Sequence, residues 1–303
     1  MQLTLSGQLQ QFLRVMQGSL FPALQEQLGP LTDKHQQLVA VLSMIQIEAM
    51  VASWPGGVGR PAADRRSIAR AFVAKAVFNM STTRQLLDRL PADVSLRRIC
   101  GWESRREIPH ESQFSRTFAD TGANAGRSAA GLQRGQQEKQ QRAQETWVGY
   151  KLHLDVADGL IPISCILTSA SLHDSQTAIP RARLSAQRVT NLYDLMDSAY
   201  DAQAIHEHRR GLGHIPIIDV HPRRDQAQKA ELQAEEKRRK LLNYSFAEQV
   251  RYRERATVER VNARLKDEFG GRMVRMRGNA KVMCHLMFGI VALAADQILR
   301  LIT

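Results

Sequence analysis

Residues 148–167 read VGYKLHLDVADGLIPISCIL, and this stretch decides the fold class. Apolar and polar residues alternate strictly as far as Val156, which is the period of a half-buried β-strand. Asp158 and Gly159 then supply a tight turn, and the apolar run over residues 161–167 provides the returning strand. The stretch therefore predicts an antiparallel β-hairpin.

The chain beyond the hairpin alternates between strands and helices. Strands are predicted over residues 189–196 and 215–220, with a helix near residues 203–209 between them. One long helix is predicted over residues 252–269, and the apolar helix over residues 282–302 is expected to pack on the sheet. Alternation of this kind is typical of an α/β domain.

The N-terminal part shows only helical spacing of its apolar residues. Helices are predicted within residues 1–60 and again within residues 61–121, where the last one covers residues 108–118. Residues 122–145 are rich in Gly, Ala, Gln, Arg and Lys, a composition that cannot bury a core. We therefore predict two helical segments, a linker over residues 122–145 and an α/β domain over residues 146–303.

The charge of the chain indicates its class of partner. Its 303 residues carry 42 Lys and Arg against 30 Asp and Glu, a net charge of +12, which favours nucleic acid. The apolar tail runs only ten residues before Asp296, which is too short for a bilayer, so no membrane partner is expected. Three widely spaced cysteines form neither a metal motif nor a disulfide framework, which is typical of a cytoplasmic protein.

A carboxylate stands where α/β sheets place their active sites. Asp197 follows the predicted strand over residues 189–196, and ligands bind at the carboxyl ends of such strands. An isolated Asp at this position is more often a helix cap or a solvated turn residue. The position alone therefore assigns no function.

Four residues share one face of the predicted long helix: Tyr252, Arg255, Glu259 and Lys266. On this face Glu259 can hold a metal, Arg255 can orient it or contact a phosphate, and Lys266 can neutralise a backbone phosphate. Tyr252 can stack or donate a hydrogen bond. Arg264 adds to the basic character of the helix. A solvated charged face has similar spacing, so the pattern alone leaves both interpretations open.

The Tyr–Arg–Glu–Lys pattern downstream of Asp197 resembles bacterial insertion-sequence transposases of the DDE class. The segments GYKLHLDVADG, SASLHDSQ, LYDLMDSAYD and RYRERATVERVNARLKDEFGG carry the resemblance through residues 146–303. Residues 61–120 resemble the helical domain that precedes the catalytic domain in that family. The resemblance implies an RNase H-like, retroviral-integrase-like fold in which two Asp and one Glu hold divalent metal ions.

The resemblance also implies roles for individual residues. Asp197 and Glu259 would be the second and third catalytic carboxylates and the ligands of Mg²⁺, with Mn²⁺ as a substitute. Tyr252, Arg255 and Lys266 would support them and contact DNA. Metal ions of this kind suit in-line phosphoryl displacement, because they activate the attacking oxygen and stabilise the leaving one.

The implied function is metal-dependent strand cleavage and strand transfer at the ends of an insertion sequence. The partners would be double-stranded DNA of the terminal inverted repeats and of the target, recognised in part by residues 61–121. The protein would be nucleoid-associated and could form a homo-oligomer in the DNA complex. Two alternatives stay open: a catalytically inactive relic that binds DNA without cutting, and a non-specific RNase H-like nuclease.

The first catalytic Asp of the family lies on a central strand before the hairpin, and this chain has no candidate there. No Asp occurs from Thr121 to Leu154, and the linker cannot supply an apolar strand. Asp155, on a hairpin strand predicted to have one wet face, is a weak substitute, and Asp120 at a helix end is weaker still.

An internal deletion or a frame shift explains the gap, and the catalytic domain is then incomplete. Asp197 and Glu259 are still expected within metal-bridging distance of each other. Two carboxylates are a weak Mg²⁺ site, because Mg²⁺ demands near-ideal geometry and gives up its waters reluctantly. We therefore expect this copy to be inactive or severely slowed.

Overall fold

The computed structural model describes residues 29–51, 64–128, 140–142, 145–147, 149–220, 226–242 and 247–302. The chain forms two compact units, Met1–Gln133 with Asn262–Thr303, and Arg134–Val261. The sequence pattern predicts residues 262–303 as part of the α/β domain, whereas the structure groups them with the N-terminal helices. Most of the predicted helices within residues 1–60, and Val148 at the start of the hairpin, lie outside the described residues.

The described helices and strands follow one another along the chain with short connections. They are α1 (Asp33–Ile45), α2 (Ile47–Met50), α3 (Arg65–Val77), α4 (Thr83–Arg89), α5 (Val94–Cys100), α6 (Glu111–Ser128), β1 (Gln140–Arg142), β2 (Glu145–Trp147), β3 (Tyr150–Ala157), β4 (Ile161–Ser169), α7 (Ala178–Ala186), β5 (Tyr193–Met196), α8 (Gln203–Gly211), β6 (Ile215–Ile218), α9 (Gln226–Leu242), α10 (Ala247–Tyr252), α11 (Ala256–Glu268) and α12 (Asn279–Ile302). Short 3₁₀ turns lie at Arg105–Glu107, Asp174–Thr177, Ser198–Tyr200 and Arg253–Arg255.

Side-chain caps begin two helices of the first unit. The Thr82 side chain accepts a hydrogen bond from the backbone N–H of Gln85 at 3.2 Å and so starts α4. Asp64 caps α3 in the same way. α6 does not end near Phe118 but continues to Ser128, so the first part of the predicted linker is helical.

The core of the first unit surrounds Phe72 on α3. Its ring centroid lies 5.9 Å from that of Phe114 and 5.0 Å from that of Phe118, both on α6, and 5.3 Å from that of Phe288 on α12. Burial of such a ring contributes about 1.5–3 kcal/mol. α12 packs against α6, α1 and α3. The prediction that it packs on the sheet is wrong, because its apolar side chains meet those of helices.

α12 is, among the described residues, long and apolar enough to cross a membrane by length and composition. The helix has 24 residues and is therefore longer than the ten-residue apolar run that the sequence shows. However, 72% of its most apolar window is buried inside the protein, and Asp296 within it pairs with Arg264 at 2.7 Å. These are the features of a core helix rather than of a lipid-facing one.

The second unit contains the predicted hairpin and a parallel strand pair. β3 pairs antiparallel with β4, which confirms the hairpin. β5 pairs parallel with β6 through the crossover helix α8, in agreement with an α/β domain. The described strands form three separate two-stranded sheets, since β1 pairs only with β2. Within the described residues, no strand therefore joins β3 to β5.

The second face of β3 is covered, so the prediction of a wet face is wrong. His153 on this face is buried, with Nε2 at 2.9 Å from Oγ1 of Thr168, and burial lowers the pKa of His153 to about 4. α7 packs on the hairpin and brings Arg181 against Asp155 and Ser185 against Ser164. These partners allow polar residues to be buried on a face that alternation alone assigns to solvent.

Candidate active site

Two acidic residues follow the ends of the parallel strands. Met196 of β5 is paired with Ile218 of β6, and Asp197 and Asp219 are the next residues of each chain segment. Because paired strands are about 4.8 Å apart, both Asp residues leave the same carboxyl edge. The position of Asp197 agrees with the sequence prediction. Asp219 was missed, because the predicted strand extended past it to residue 220, whereas β6 ends at Ile218.

A cleft of about 730 Å³ lies at this edge of the second unit. It is lined by residues 154–158 of β3 and its turn, by residues 189–197 up to the end of β5, and by residues that begin α11. Its charged residues are Asp155, Asp158, Asp194, Asp197, Glu254, Glu259, Arg181, Arg209, Arg251 and Arg255. The three carboxylates selected from the sequence, Asp155, Asp197 and Glu259, therefore line the same cleft.

Asp197 is held at the start of the 3₁₀ turn Ser198–Tyr200. Its Oδ1 accepts a hydrogen bond from the backbone N–H of Ala199 at 3.1 Å. The side chain is half-buried, and no other donor among the described residues contacts its carboxylate. Asp197 thus caps the 3₁₀ turn through Oδ1, and its Oδ2 stays available for a ligand.

The four signature residues do not lie on one continuous helix, so that part of the prediction is wrong. Tyr252 is the last residue of α10, Arg255 belongs to the 3₁₀ turn Arg253–Arg255, and Glu259 lies in the first turn of α11. The 3₁₀ turn interrupts the helix where it packs against β5.

Side-chain contacts nevertheless bring Tyr252, Arg255 and Glu259 together. The guanidinium carbon of Arg255 lies 5.7 Å from the ring centroid of Tyr252, and Nη2 of Arg255 lies 3.7 Å from Oε1 of Glu259. Partial burial and the nearby carboxylate of Asp219 raise the pKa of Tyr252 to about 12.

Lys266 is seven residues beyond Glu259 on α11, on the same side of that helix, and is exposed. It does not line the cleft. Arg264 is not part of an open basic face, because Nη2 lies 2.8 Å from Glu268 and 2.7 Å from Asp296. The cationic surface expected along this helix is therefore smaller than the sequence indicates.

Asp155 is occupied by partners within the protein. Its Oδ1 lies 3.2 Å from Nη1 of Arg181, and its Oδ2 accepts hydrogen bonds from Oγ of Ser185 at 2.7 Å and Oγ of Ser164 at 3.2 Å. A metal ion would have to compete with these donors for both oxygens. Asp155 thus has a structural role in the hairpin, although it lines the cleft.

The residues present supply part of a metal site of the kind that the sequence resemblance implies. Asp120, the other substitute considered, pairs with Arg65 at 2.8 Å inside the first unit. Among the described residues, no group of three or more His, Cys, Asp or Glu has an arrangement that could hold a metal ion. Asp197 and Glu259 offer the hard oxygen ligands that Mg²⁺ prefers, but only two of the three carboxylates.

Two family models match the chain. Residues 107–295, more than half of its length, match the family described as Transposase DDE domain. Residues 25–120 match the Transposase domain (DUF772). No curated protein and no solved structure matches the chain. The first match covers the hairpin, the parallel strand pair and the cleft, and the second covers most of the helices that precede them.

Proposed function

The chain belongs to the transposase DDE domain family, and from this premise we propose that it is a DNA-binding transposase copy with an incomplete catalytic centre. It is of the Tyr–Arg–Glu–Lys type and has an RNase H-like catalytic domain. Its strand cleavage is absent or severely slowed. The observation that carries the proposal is the cleft, where Asp197 and Glu259 lie with Arg255 but Asp155, the substitute for the first catalytic Asp, is occupied by Arg181 and two serines.

The arrangement of strands supports the loss of a central strand. The cleft is lined by β3 and by β5, which belong to different two-stranded sheets. In a complete sheet, a strand that carries the first Asp would join these two strand pairs.

DNA is the proposed partner, bound mainly through its phosphates. The net charge of +12 supplies the long-range attraction. Arg255 is half-exposed at the cleft and Lys266 is exposed on α11, so both can contact a phosphate. The DNA duplexes that the protein binds are the ends of the insertion sequence and the target DNA. Residues 61–121 contribute to recognition of the element ends.

Asp197 and Glu259 are the residues that would hold Mg²⁺. When bound, the ion would supply charge stabilisation and activation of an oxygen nucleophile. The chain itself fixes Asp197 through the Ala199 N–H and holds Arg255 beside Glu259. With one carboxylate missing, Asp197 and Glu259 would hold the ion less tightly and would place an attacking oxygen poorly, and transition-state positioning tolerates little error.

A cleavage and joining assay separates the three functional classes. Duplexes that contain the element ends and scrambled duplexes are incubated with the full chain and Mg²⁺ or Mn²⁺. We expect binding without cutting or joining. Strand joining at the ends would identify an active transposase and overturn the claim of lost cleavage. Degradation of both duplexes would identify a nuclease, and the absence of DNA binding would contradict the proposal as a whole.

Matched variants test the site itself. Asp197→Asn and Glu259→Gln remove one charge each from the cleft, and Glu248→Gln removes a charge from an exposed position of α10 outside it. Any residual metal-dependent cutting should disappear in the first two variants and persist in the third. Cutting that survives both cleft substitutions would show that the site is placed wrongly.

A further inference from the structure

A basic segment, residues 272–281, lies in the first unit and does not line the cleft. It begins just after α11 and runs into the first turn of α12. The sequence contains no Asp or Glu between Glu268 and Asp296. The charged residues of the basic segment are all positive and all exposed: Arg272, Arg275, Arg277 and Lys281.

The acidic residues that flank the basic segment in sequence already have arginine partners. The ion pairs are Asp267 with Arg272, and Glu268 and Asp296 with both Arg264 and Arg300. Within the part of the chain that the structure describes, three cations of the basic segment have no carboxylate partner: Arg275, Arg277 and Lys281. Their mutual repulsion is therefore not compensated by the protein itself.

The start of the basic segment is held in place by hydrogen bonds to the backbone. The side chain of Asn79, just after α3, accepts a hydrogen bond from the N–H of Gly270 at 2.9 Å and donates one to the carbonyl of Asp267 at 2.7 Å. The N–H of Gly271 donates to the carbonyl of Leu265 at 2.9 Å. A Cβ atom at position 271 would lie 2.9 Å from that same carbonyl oxygen, so glycine is needed there. These contacts fix the path by which the chain leaves α11.

Exposure alternates along the middle of the basic segment. Val274 and Met276 are half-buried, whereas Arg275 and Arg277 are exposed, as in an extended chain whose successive side chains point to opposite sides. Two residues of extended chain span about 6–7 Å, so both arginines start from neighbouring points on one side. Lys281 lies in the first turn of α12, where the helix dipole disfavours a cation. A bound anion would relieve this repulsion.

We propose that the basic segment is a second DNA-binding surface, in which Arg275, Arg277 and Lys281 contact phosphates of the duplex backbone. This inference rests on the proposed function and adds a surface outside the cleft. An acidic protein fits less well, because the centre of a protein interface is apolar, and within this segment Met273 is the one large apolar side chain that is exposed. DNA phosphates offer the row of negative charges that the three cations match.

The first test compares the salt dependence of DNA binding in two triple variants of the full chain. One carries Arg275→Gln, Arg277→Gln and Lys281→Gln. Loss of three phosphate contacts should reduce the slope of log affinity against log salt by about 2.7 and weaken binding at low salt by roughly tenfold or more. All three side chains are exposed, so the midpoint of urea unfolding should not change.

The control variant removes the same charge from exposed cations on α1 and α9: Lys34→Gln, Lys237→Gln and Arg238→Gln. It lowers the long-range attraction equally but leaves the basic segment intact, so its slope should change by less than about one. An equal change of slope in the two triple variants, or no change in the first, would overturn the proposed surface.

The second test detects the contact in the unmodified chain. Reductive methylation marks accessible lysine side chains, and mass spectrometry compares their labelling with and without duplex DNA. Lys281 should lose most of its labelling when DNA is bound, whereas Lys237 on α9 should keep its labelling. Equal protection of the two lysines, or no protection of Lys281, would overturn the proposed surface.

These measurements separate failure of the surface from failure of the proposed function. If the unmodified chain binds no DNA, the proposed function fails and the surface fails with it. If it binds DNA while Lys281 stays accessible and the slope of the first triple variant is unchanged, only the surface is wrong. Duplex RNA and polyglutamate serve as competitors of the bound DNA. Either one displacing labelled DNA at a lower concentration than unlabelled DNA does would identify a different partner and overturn the inference.

Discussion

Nη1 of Arg181 lies 3.2 Å from Oδ1 of Asp155, and the two side chains are only 7% and 21% exposed. Arg181 also donates a hydrogen bond to the backbone carbonyl of Leu154 at 3.0 Å. Its Nε has no hydrogen-bond partner in the structure, so the guanidinium depends strongly on the contacts it does make. The carboxylate of Asp155 therefore compensates the buried positive charge of Arg181. Because both of its oxygens already accept contacts, it is poorly suited to be a metal ligand.

Asp155→Asn should destabilise the fold rather than change DNA binding. Loss of the carboxylate leaves the Arg181 charge largely uncompensated, and we expect the free energy of unfolding to fall by about 2–3 kcal/mol in urea titrations. Asp155→Asn with Arg181→Met should recover part of the loss, because the buried charge is then absent as well.

Asp158→Asn is the control for that experiment. Asp158 pairs with Arg251, but both side chains are well exposed, so the change should cost at most about 1 kcal/mol. If Asp155→Asn instead kept its stability and abolished a cutting activity of the unmodified chain, Asp155 would be the first catalytic carboxylate.

Removal of either cleft carboxylate should strengthen DNA binding when no divalent metal is present. Asp197 and Glu259 place negative charge where a phosphate would approach, so Asp197→Asn and Glu259→Gln should each raise affinity by roughly two- to fivefold at low salt. Gel-shift titration in a chelating buffer measures this, with Glu248→Gln as the charge-matched control. Unchanged binding in both cleft variants would mean that DNA does not approach the cleft, and weaker binding would contradict the repulsion.

The sequence predicted those parts of the site that depend on local patterns. Alternation identified the hairpin, and the apolar run before Asp197 placed that residue at a strand end. The partners of Asp155 could not be predicted in this way, because Arg181 and Ser185 come from a helix distant in sequence. The 3₁₀ turn before α11 could not be predicted either, because the three-residue spacing of Tyr252 and Arg255 suits both an α-helix and a 3₁₀ turn.

Replacement of Arg255 should affect DNA binding, whereas replacement of Arg264 should affect stability, although both belong to the predicted basic helix. Arg255→Gln should weaken DNA binding and reduce the slope of log affinity against log salt by roughly one, as expected for one phosphate contact. Arg264 is only 14% exposed and pairs with Glu268 and Asp296. Arg264→Gln should therefore lower the free energy of unfolding by about 2–4 kcal/mol and leave the salt slope unchanged.

Affinity across a salt series and urea unfolding of the same two variants measure these effects. The steep salt dependence of the unmodified chain is the reference. Affinity that barely changes between low and physiological salt would contradict phosphate binding altogether. An equal change of slope in both variants would show that Arg264 leaves its partners to contact DNA.

A buried pair in the first unit predicts a pH dependence of stability. Nζ of Lys75 lies 2.9 Å from Nδ1 of His285, whose Nε2 lies 2.9 Å from the carbonyl oxygen of Gly270. Burial lowers the pKa of His285 to about 4 and that of Lys75 to about 8. His285 is therefore neutral at physiological pH, and its Nδ1 accepts a hydrogen bond from the Lys75 amine.

The sign of the effect follows from the lowered pKa of His285. Below its ordinary pKa of about 6.5 the imidazole of His285 takes up a proton in the unfolded chain but not in the folded chain. The contribution of His285 to stability is therefore complete above pH 6.5 and is lost as the pH falls towards 4. The loss should reach about 3 kcal/mol at most. His285→Gln keeps a group that can accept from Lys75 and donate to Gly270 but does not titrate. The difference between the urea stability of the two proteins should shrink as the pH falls from 6.5 to 4, and a constant difference across that range would contradict a buried, neutral His285.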